Sequence, residues 1–392
     1  MIRALVVLAL LAIATPARAD TDEPPVVQLV TFGPGAGLFE RFGHAAMCLR
    51  YQEVTHDVCF NYGVTDYSAG ASLIWNFIRG AQLFWSEPAN YYGMLDDYVD
   101  EDRDIWQQTI PTTPAQARAI EKRLWHDADR ANRDYIYDHV YNNCATRLRD
   151  ILDEELATPE AGAPGTSRGA LRGGATAPTD ITLRAVEARG FAETPVLLAF
   201  TDFALGHGMD RPLPRWDAMF LPEVLRAEVG KLPGVLTDGI HLRKAPPFPT
   251  DPGWTGRLVF GAAAVLVPLL ALLLRKKRRL SVAIAMTPLV FWSVVIWTLV
   301  IISPIALVRW NQVALVFLPI DLAIPWLGAK RRLYLEARIV EVLLLAIACA
   351  LGLLAQPLWI PIATALLPLI VLFSLSAVRG LGRQDSAGTG SS

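Results

Sequence analysis

The sequence predicts an α+β exported domain followed by a five-helix transmembrane bundle, and three observations carry that prediction. The 392 residues are 53% hydrophobic with a mean hydropathy of +0.32, yet the apolar excess lies at the two ends rather than throughout. Residues 1–19 have a charged start (Met1-Ile2-Arg3), a short apolar stretch and a small-x-small ending at Ala17-Arg18-Ala19, the make-up of a secretory signal removed after Ala19. Residues 20–254 mix strand-like and helix-like patterns over a length that supports one domain with its own core.

Within the exported segment, residues 26–33 read as a strand that stops at Gly33-Pro34-Gly35. Residues 44–50 and 57–62 read as two strands around a polar turn at 52–56. Residues 71–85 are dense in apolar and aromatic side chains and read as a helix. Thr113-Pro114 opens a helix to about residue 130, with threonine as N-cap and proline at the first helical position. Another helix starts near Cys144 after Asn142-Asn143, which are good capping residues. Residues 158–178, rich in Ala, Gly, Pro, Thr and Ser, read as a loop, and structure resumes through 196–205. The domain is expected over 20–240, followed by a proline-rich linker at 241–254.

After Trp254 five runs are each apolar enough to span a bilayer: 258–274, 280–302, 311–327, 339–354 and 358–378. They make a membrane domain over 255–380 with a short tail at 381–392. Arg275-Lys276-Lys277-Arg278-Arg279 follows the first run, Lys330-Arg331-Arg332 the third, and Arg379 and Arg383 the fifth. The links near Pro304 and Gln356-Pro357 are almost free of cations. This alternation places the C-terminus in the cytoplasm and residues 20–254 outside, where the signal also sends them. The basic clusters set topology and form no nucleic-acid face; the net charge of −2 averages two unlike halves.

The four cysteines sort by position. Cys349 lies in the fourth run and reads as a packing residue. Cys48 and Cys59 fall opposite each other if the hairpin turns between Glu53 and Val54, and in an oxidising compartment they should pair. Cys144 is then the unpaired exported thiol. In the same register His44, Ala46 and Cys48 share a face with Cys59 and Asn61, and Asn61 is the diagonal neighbour of His44.

A thiol at a helix start beside an imidazole, with a polar group to orient that ring, is the arrangement a cysteine nucleophile needs. The backbone N–H of Cys144 would be the oxyanion donor. The competing reading is an inert thiol and a hydrogen-bonded strand histidine. No metal-ligand spacing, phosphate loop or dinucleotide fingerprint is present, so no metal or cofactor is expected. Asp321 reads either as a functional intramembrane charge or as part of a re-entrant turn, and Glu341 as a residue near the cytoplasmic side. Arg147 and Arg149 read as lipid-phosphate ligands or as solvated helix charges. His207 and Asp210 read as a loop cap.

Phe42-Gly43-His44-Ala45-Ala46-Met47, Phe60-Asn61-Tyr62-Gly63 and Asn143-Cys144-Ala145-Thr146-Arg147 together resemble the signature of the Lnb-type lipoprotein N-acyltransferase family. Asp210-Arg211 and Met219-Phe220-Leu221-Pro222 resemble the closing motif of its periplasmic domain. The resemblance implies a permuted papain-like (NlpC/P60-related) fold in which the histidine strand precedes the cysteine helix. It implies Cys144 as nucleophile, His44 as base and Asn61 as orienter, with Gly43, Asn143 and Arg147 supporting them. It further implies transfer of an acyl chain from a phospholipid donor, through a thioester, to the amino terminus of a diacylated lipoprotein at the bacterial inner membrane. The tract Gly37-Leu38-Phe39-Glu40-Arg41 departs from the family's serine-rich lead. Trp75, Phe84, Trp85, Tyr91, Tyr92 and Trp106 are candidates for a membrane-facing rim or for core packing. A tethered cell-wall peptidase or amidase and a non-catalytic membrane assembly or sensor protein are the alternative functions.

Overall fold

A computed structural model describes residues 23–37, 40–159 and 167–381. The signal-like segment 1–19, the tail from 382 and the middle of the 158–178 loop lie outside those residues. The chain runs β1 (Val26–Phe32), β2 (His44–Arg50), β3 (Val58–Val64), α1 (Ala71–Ile78), β4 (Leu83–Asn90), α2 (Tyr91–Asp100), β5 (Ile105–Ile110), α3 (Pro114–Ala128), β6 (Asp134–Ile136) and α4 (Cys144–Glu155). Then come β7 (Thr158–Pro159), β8 (Ser167–Arg168), β9 (Pro178–Thr182), α5 (Leu183–Gly190), α6 (Pro195–Ala204), β10 (Pro212–Pro214), α7 (Arg215–Ala218), α8 (Pro222–Val229) and β11 (Leu236–His241). Strands β11-β5-β1-β2-β3-β4-β6, in that order, form one antiparallel sheet.

Strand alternation gives the sheet two apolar faces. Val27, Leu29, Ala45, Met47, Leu49, Phe60 and Tyr62 pack under α3 and α4 through Ile120, Leu124, Leu148 and Leu152. Val30, Phe32, Ala46, Cys48 and Cys59 face the other way, against Tyr91, Met94 and Leu95 of α2. The β2–β3 hairpin has the expected register, Ala46 opposite Asn61 and Cys48 opposite Cys59, and those cysteines are joined as a disulfide. Helix α3 begins with a full capping box between Thr113 and Gln116.

The expected helix over 71–85 is in fact two elements. Helix α1 ends at Ile78, Gly80 turns the chain with φ +61°, and Leu83–Trp85 pair with Ile136–Asp134 of β6. Pro88 is tolerated in β4 because β6 covers only residues 83–85, so at Pro88 no ladder donor is missing on that side. Strands β5, β6 and β11 were absent from the sequence expectation as well.

Beyond the sheet domain lie α9 (Thr255–Leu273), α10 (Arg278–Ile302), α11 (Ala306–Arg309), α12 (Val313–Val316), α13 (Arg331–Ala350) and α14 (Trp359–Leu381). Among the described residues four segments are long and apolar enough to cross a membrane: Thr255–Leu273, Arg278–Ile302, Ala306–Trp326 and Trp359–Ser376. The third is broken into α11, α12 and a 3-10 stretch, Pro319–Trp326, because Pro319 and Pro325 interrupt it. The expected run 339–354 falls on α13, whose first half carries Arg331, Arg332, Glu336, Arg338 and Glu341 and is too charged to count as a span by composition. Asp321, in the Pro319–Trp326 stretch, is neither free nor at a turn's surface. It is 1% exposed, accepts two bonds from the Arg338 guanidinium (2.9 and 2.8 Å) and one from Tyr334 Oη at 2.6 Å. Glu341 pairs with the same arginine at 2.5 Å, and Cys349 packs against the bundle core.

The two halves interlock. Helix α6 sends Phe203 into the bundle core, where its ring stacks on Trp292 at 4.1 Å. Asn311 Nδ2 donates to the Phe203 carbonyl at 2.7 Å, and Gln356 Nε2 donates to the carbonyls of Asp202 and Leu205. At Gly206 and Gly256 any side chain would collide with the carbonyls of Trp310 and Pro195, so both contacts need glycine. His207 caps the Trp310 carbonyl at 2.9 Å, while Asp210 is held by Arg184 at 2.6 Å.

Candidate active site

Cys144 is the first residue of α4. Asn143 caps that helix by accepting from Thr146 N–H at 2.9 Å, and the Thr146 hydroxyl oxygen in turn accepts from Asn143 N–H. The two amide hydrogens of Asn143 go to the carbonyls of His139 (2.8 Å) and Phe220 (2.9 Å). This 4%-exposed side chain is therefore fully used in holding the helix start to its surroundings.

His44 opens β2 on the sheet face opposite α4, yet His44 and Cys144 line one cavity of about 50 Å³. Two glycines at the strand ends make this possible. Gly43 has φ +78°, and a Cβ there would stand 2.6 Å from the Phe32 carbonyl; Gly63 has φ +90° and sits where the β3–β4 register shifts. A Cβ on Gly63 would lie 3.8 Å from Cys144 Cβ, which puts this strand end against the thiol residue.

His44 Nε2 donates to Asn61 Oδ1 at 2.9 Å, and the Asn61 amide in turn faces Met94 Sδ at 3.4 Å. That bond leaves Nδ1 as the basic nitrogen. The ring lies nearly parallel to Phe32 and Tyr98. Burial pulls its pKa from 6.5 to about 4; the Asn61 bond resists this, and the nearby Arg103 charge adds to the fall. The Cys144 thiol, partly exposed, is pushed up by burial, against the backbone N–H groups of Ala45, Ala145 and Cys144 itself that approach the sulfur. At neutral pH the pair is therefore a thiol and a neutral imidazole.

The remaining cavity wall comes from Tyr62, Tyr67, Phe84, Tyr137, His139 and Phe220. Phe84 was expected as a rim or packing residue and Tyr62 and Phe220 stand in motifs that carry the resemblance, but Tyr67, Tyr137 and His139 carried no expectation, although Tyr135, Tyr137 and His139 crowd just before the Asn143-Cys144 pair. Tyr137 Oη meets His139 Nδ1 at 3.4 Å and its ring stacks on Phe84 at 4.1 Å. His139 is held neutral by burial. Arg147 does not line the cavity: it donates to Asn142 Oδ1 at 2.7 Å and covers the Tyr135 ring. Arg149 lies over Trp216. Of the aromatic rim suggested by the sequence, Phe84 and Tyr91 are buried, Trp85 and Trp106 half-buried, and Trp75 and Tyr92 exposed. No cluster of histidine, cysteine, aspartate and glutamate suited to a metal occurs among the described residues.

An antiparallel sheet that joins a helix-capped thiol to an oriented imidazole, and is seated on apolar spans, defines a membrane-attached α+β thiol domain. Residues 15–184, which include His44, Asn61 and Cys144, match the family described as the Lnb N-terminal periplasmic domain. That match supports an Lnb-type assignment for the periplasmic domain, and the four apolar segments after it fit an inner-membrane protein. No curated protein and no solved structure matches the chain.

Proposed function

We propose that the protein is a periplasmic thiol acyltransferase of the inner membrane, with Cys144 as nucleophile, His44 as base and then acid, and Asn61 as orienter. The observation that carries this reading is the shared cavity of thiol and imidazole with Asn61 on the far ring nitrogen. Cys144 Sγ attacks the ester carbonyl of a phospholipid as its proton passes to His44 Nδ1. The C–O ester bond breaks, the leaving alkoxide takes that proton, and the acyl group stays on sulfur as a thioester. The terminal amine of a diacylated lipoprotein then attacks the thioester; its proton returns by way of His44 to the sulfur, and an amide results. The N–H of Cys144 at the helix start would hold the oxyanion.

The membrane setting favours a lipid donor over a soluble peptide. Leu307, in α11, packs with Val140 and Phe220 in the cluster that backs the cavity. The order of histidine strand before cysteine helix supports a permuted papain-like fold. Five spans, with α13 as the fourth, are supported by which links meet the sheet domain. Those around Pro304 and Gln356 do, through Gly80, Asp202 and Leu205. The basic links at 275–279 and 328–332 carry the cations expected on the cytoplasmic side, which puts the C-terminus there as well.

The test is mass spectrometry of the purified protein in phospholipid nanodiscs. A hydroxylamine-sensitive acyl adduct on Cys144 that is lost in Cys144→Ala and depleted in His44→Ala supports the proposal. Equal acylation of His44→Ala and wild type would sink it.

A further inference from the structure

Residues 67–78 carry no charge, and exposed Arg79 follows them. Within this stretch α1 buries Leu73 but leaves Ile74 51% and Trp75 45% exposed, and the cavity-lining Tyr67 is 55% exposed. Leu83 and Ile136, paired across β4 and β6 just beyond, are about as exposed. Such a continuous apolar patch on a water-soluble surface marks a contact site. Its inner side meets the candidate active site: the Phe77 ring lies 6.3 Å from that of Tyr137, which lines the cavity.

The neighbour of the patch is the membrane domain. A Cβ on Gly80, at the end of α1, would stand 2.5 Å from Pro304 Cγ, in the link that follows α10. Ile301 in the last turn of α10 is 75% exposed on the surface of the bundle. The turn after α1 therefore meets the link at the end of α10, close in the chain to exposed Ile301, so α1 sits where the spans leave the membrane. Amphipathic helices with tryptophan and aliphatic residues on one face lie in the membrane interface, and an adjoining arginine can reach the headgroups.

We propose that α1 is an interfacial helix: its Ile74–Trp75 face is seated among the acyl chains of the adjoining leaflet and, with Tyr67 and Phe77, forms the portal by which a lipid chain reaches Cys144. The helix thus selects for long-chain donors presented by a bilayer. The portal role rests on the acyl-transfer reading; the membrane seat does not.

Two measurements on the full chain in phospholipid nanodiscs separate them. An environment-sensitive fluorophore is attached to Trp75→Cys in a Cys144→Ser/Cys349→Ala background. Blue-shifted emission that is quenched by nitroxide-labelled lipids supports the seat; water-like emission untouched by those lipids overturns it, as would shielding by an added lipoprotein alone. Ile74→Asn/Trp75→Asn is then compared with wild type for acylation of Cys144. A loss at least tenfold greater with bilayer phospholipid than with a short-chain, water-soluble ester supports the portal. Equal loss with both donors, or no loss with either, overturns it. Failure of the wild-type chain to take acyl groups from either donor sinks the transferase reading and leaves the fluorescence result to decide the seat.

Discussion

Asn61→Ala isolates the part of the site that rests on one bond. Asn61 Oδ1 accepts the Nε2–H of His44 at 2.9 Å, and no other hydrogen-bond partner of that ring exists among the described residues. While His44 is neutral the bond is an ordinary one; once the ring takes the Cys144 proton it becomes a bond to a cation, worth about 1.5–3 kcal/mol. The ordinary bond of the neutral ring is lost as well, so the difference of about 1–1.5 kcal/mol counts, and at about 1.4 kcal/mol per tenfold the alanine variant should acylate Cys144 roughly 5–13 times more slowly. The Cys48–Cys59 disulfide and the packing of Ala46 and Met94 hold the strand pair, so the fold is expected to survive. The assay is single-turnover growth of the thioester mass in nanodiscs. Asn61→Asp supplies the control, since it keeps an acceptor and adds a charge that raises the imidazole pKa. It should retain much of the rate and move the acid limb of the pH profile upward. An alanine variant within threefold of wild type would refute the role given to Asn61.

The wild-type acid limb is itself a prediction. With His44 held near 4, acylation should persist to about pH 5 and fail only below that, and a limb near 6.5 would count against the buried imidazole. The sign for stability follows from proton uptake: between pH 6.5 and 4 the unfolded chain binds the proton that folded His44 refuses. Stability should therefore fall by at most about 3 kcal/mol as pH drops through that window, as read by thermal unfolding. Cys48→Ala/Cys59→Ala opens a loop of 11 residues and should cost about 3 kcal/mol, matched by reductant on the wild type. A melting temperature unchanged by either treatment would contradict this. Arg338→Met leaves Asp321 buried with only Tyr334 and should cost about 3–5 kcal/mol, whereas Arg338→Met/Asp321→Leu should recover most of it. If the double variant melts as low as the single one in detergent, the loss was packing rather than charge.

Local chemistry was legible in the sequence wherever a short-range rule applied. The turn between Glu53 and Val54 fixed which cysteines face each other and put Asn61 diagonal to His44. Asn143 before Cys144 marked a helix start, and Thr113-Pro114 another. Non-local pairing was not legible. Strand β5 (Ile105–Ile110) lies between β1 (Val26–Phe32) and β11 (Leu236–His241), both far away along the chain, and nothing local announces either pairing. Residues 83–90 hid behind an aromatic cluster that suits helix and strand alike. The cavity wall escaped notice because Tyr62, Phe84 and Phe220 converge only after the sheet forms. Composition misled at the boundary too: the change at Trp254 separates the spans from what precedes them, but α6 lies before it and still packs among them.

That crossing of α6 has a practical consequence. A knife placed in the linker at 242–254 would not yield a clean soluble domain and an empty anchor. The amputated periplasmic half would wave Phe200 and Phe203 in water, and the remaining spans would keep a socket lined by Trp292, Phe317 and the unanswered amides of Asn311 and Gln356. Both fragments would be sticky, so efforts to express the thiol domain should carry the whole chain in lipid or redesign that plug first.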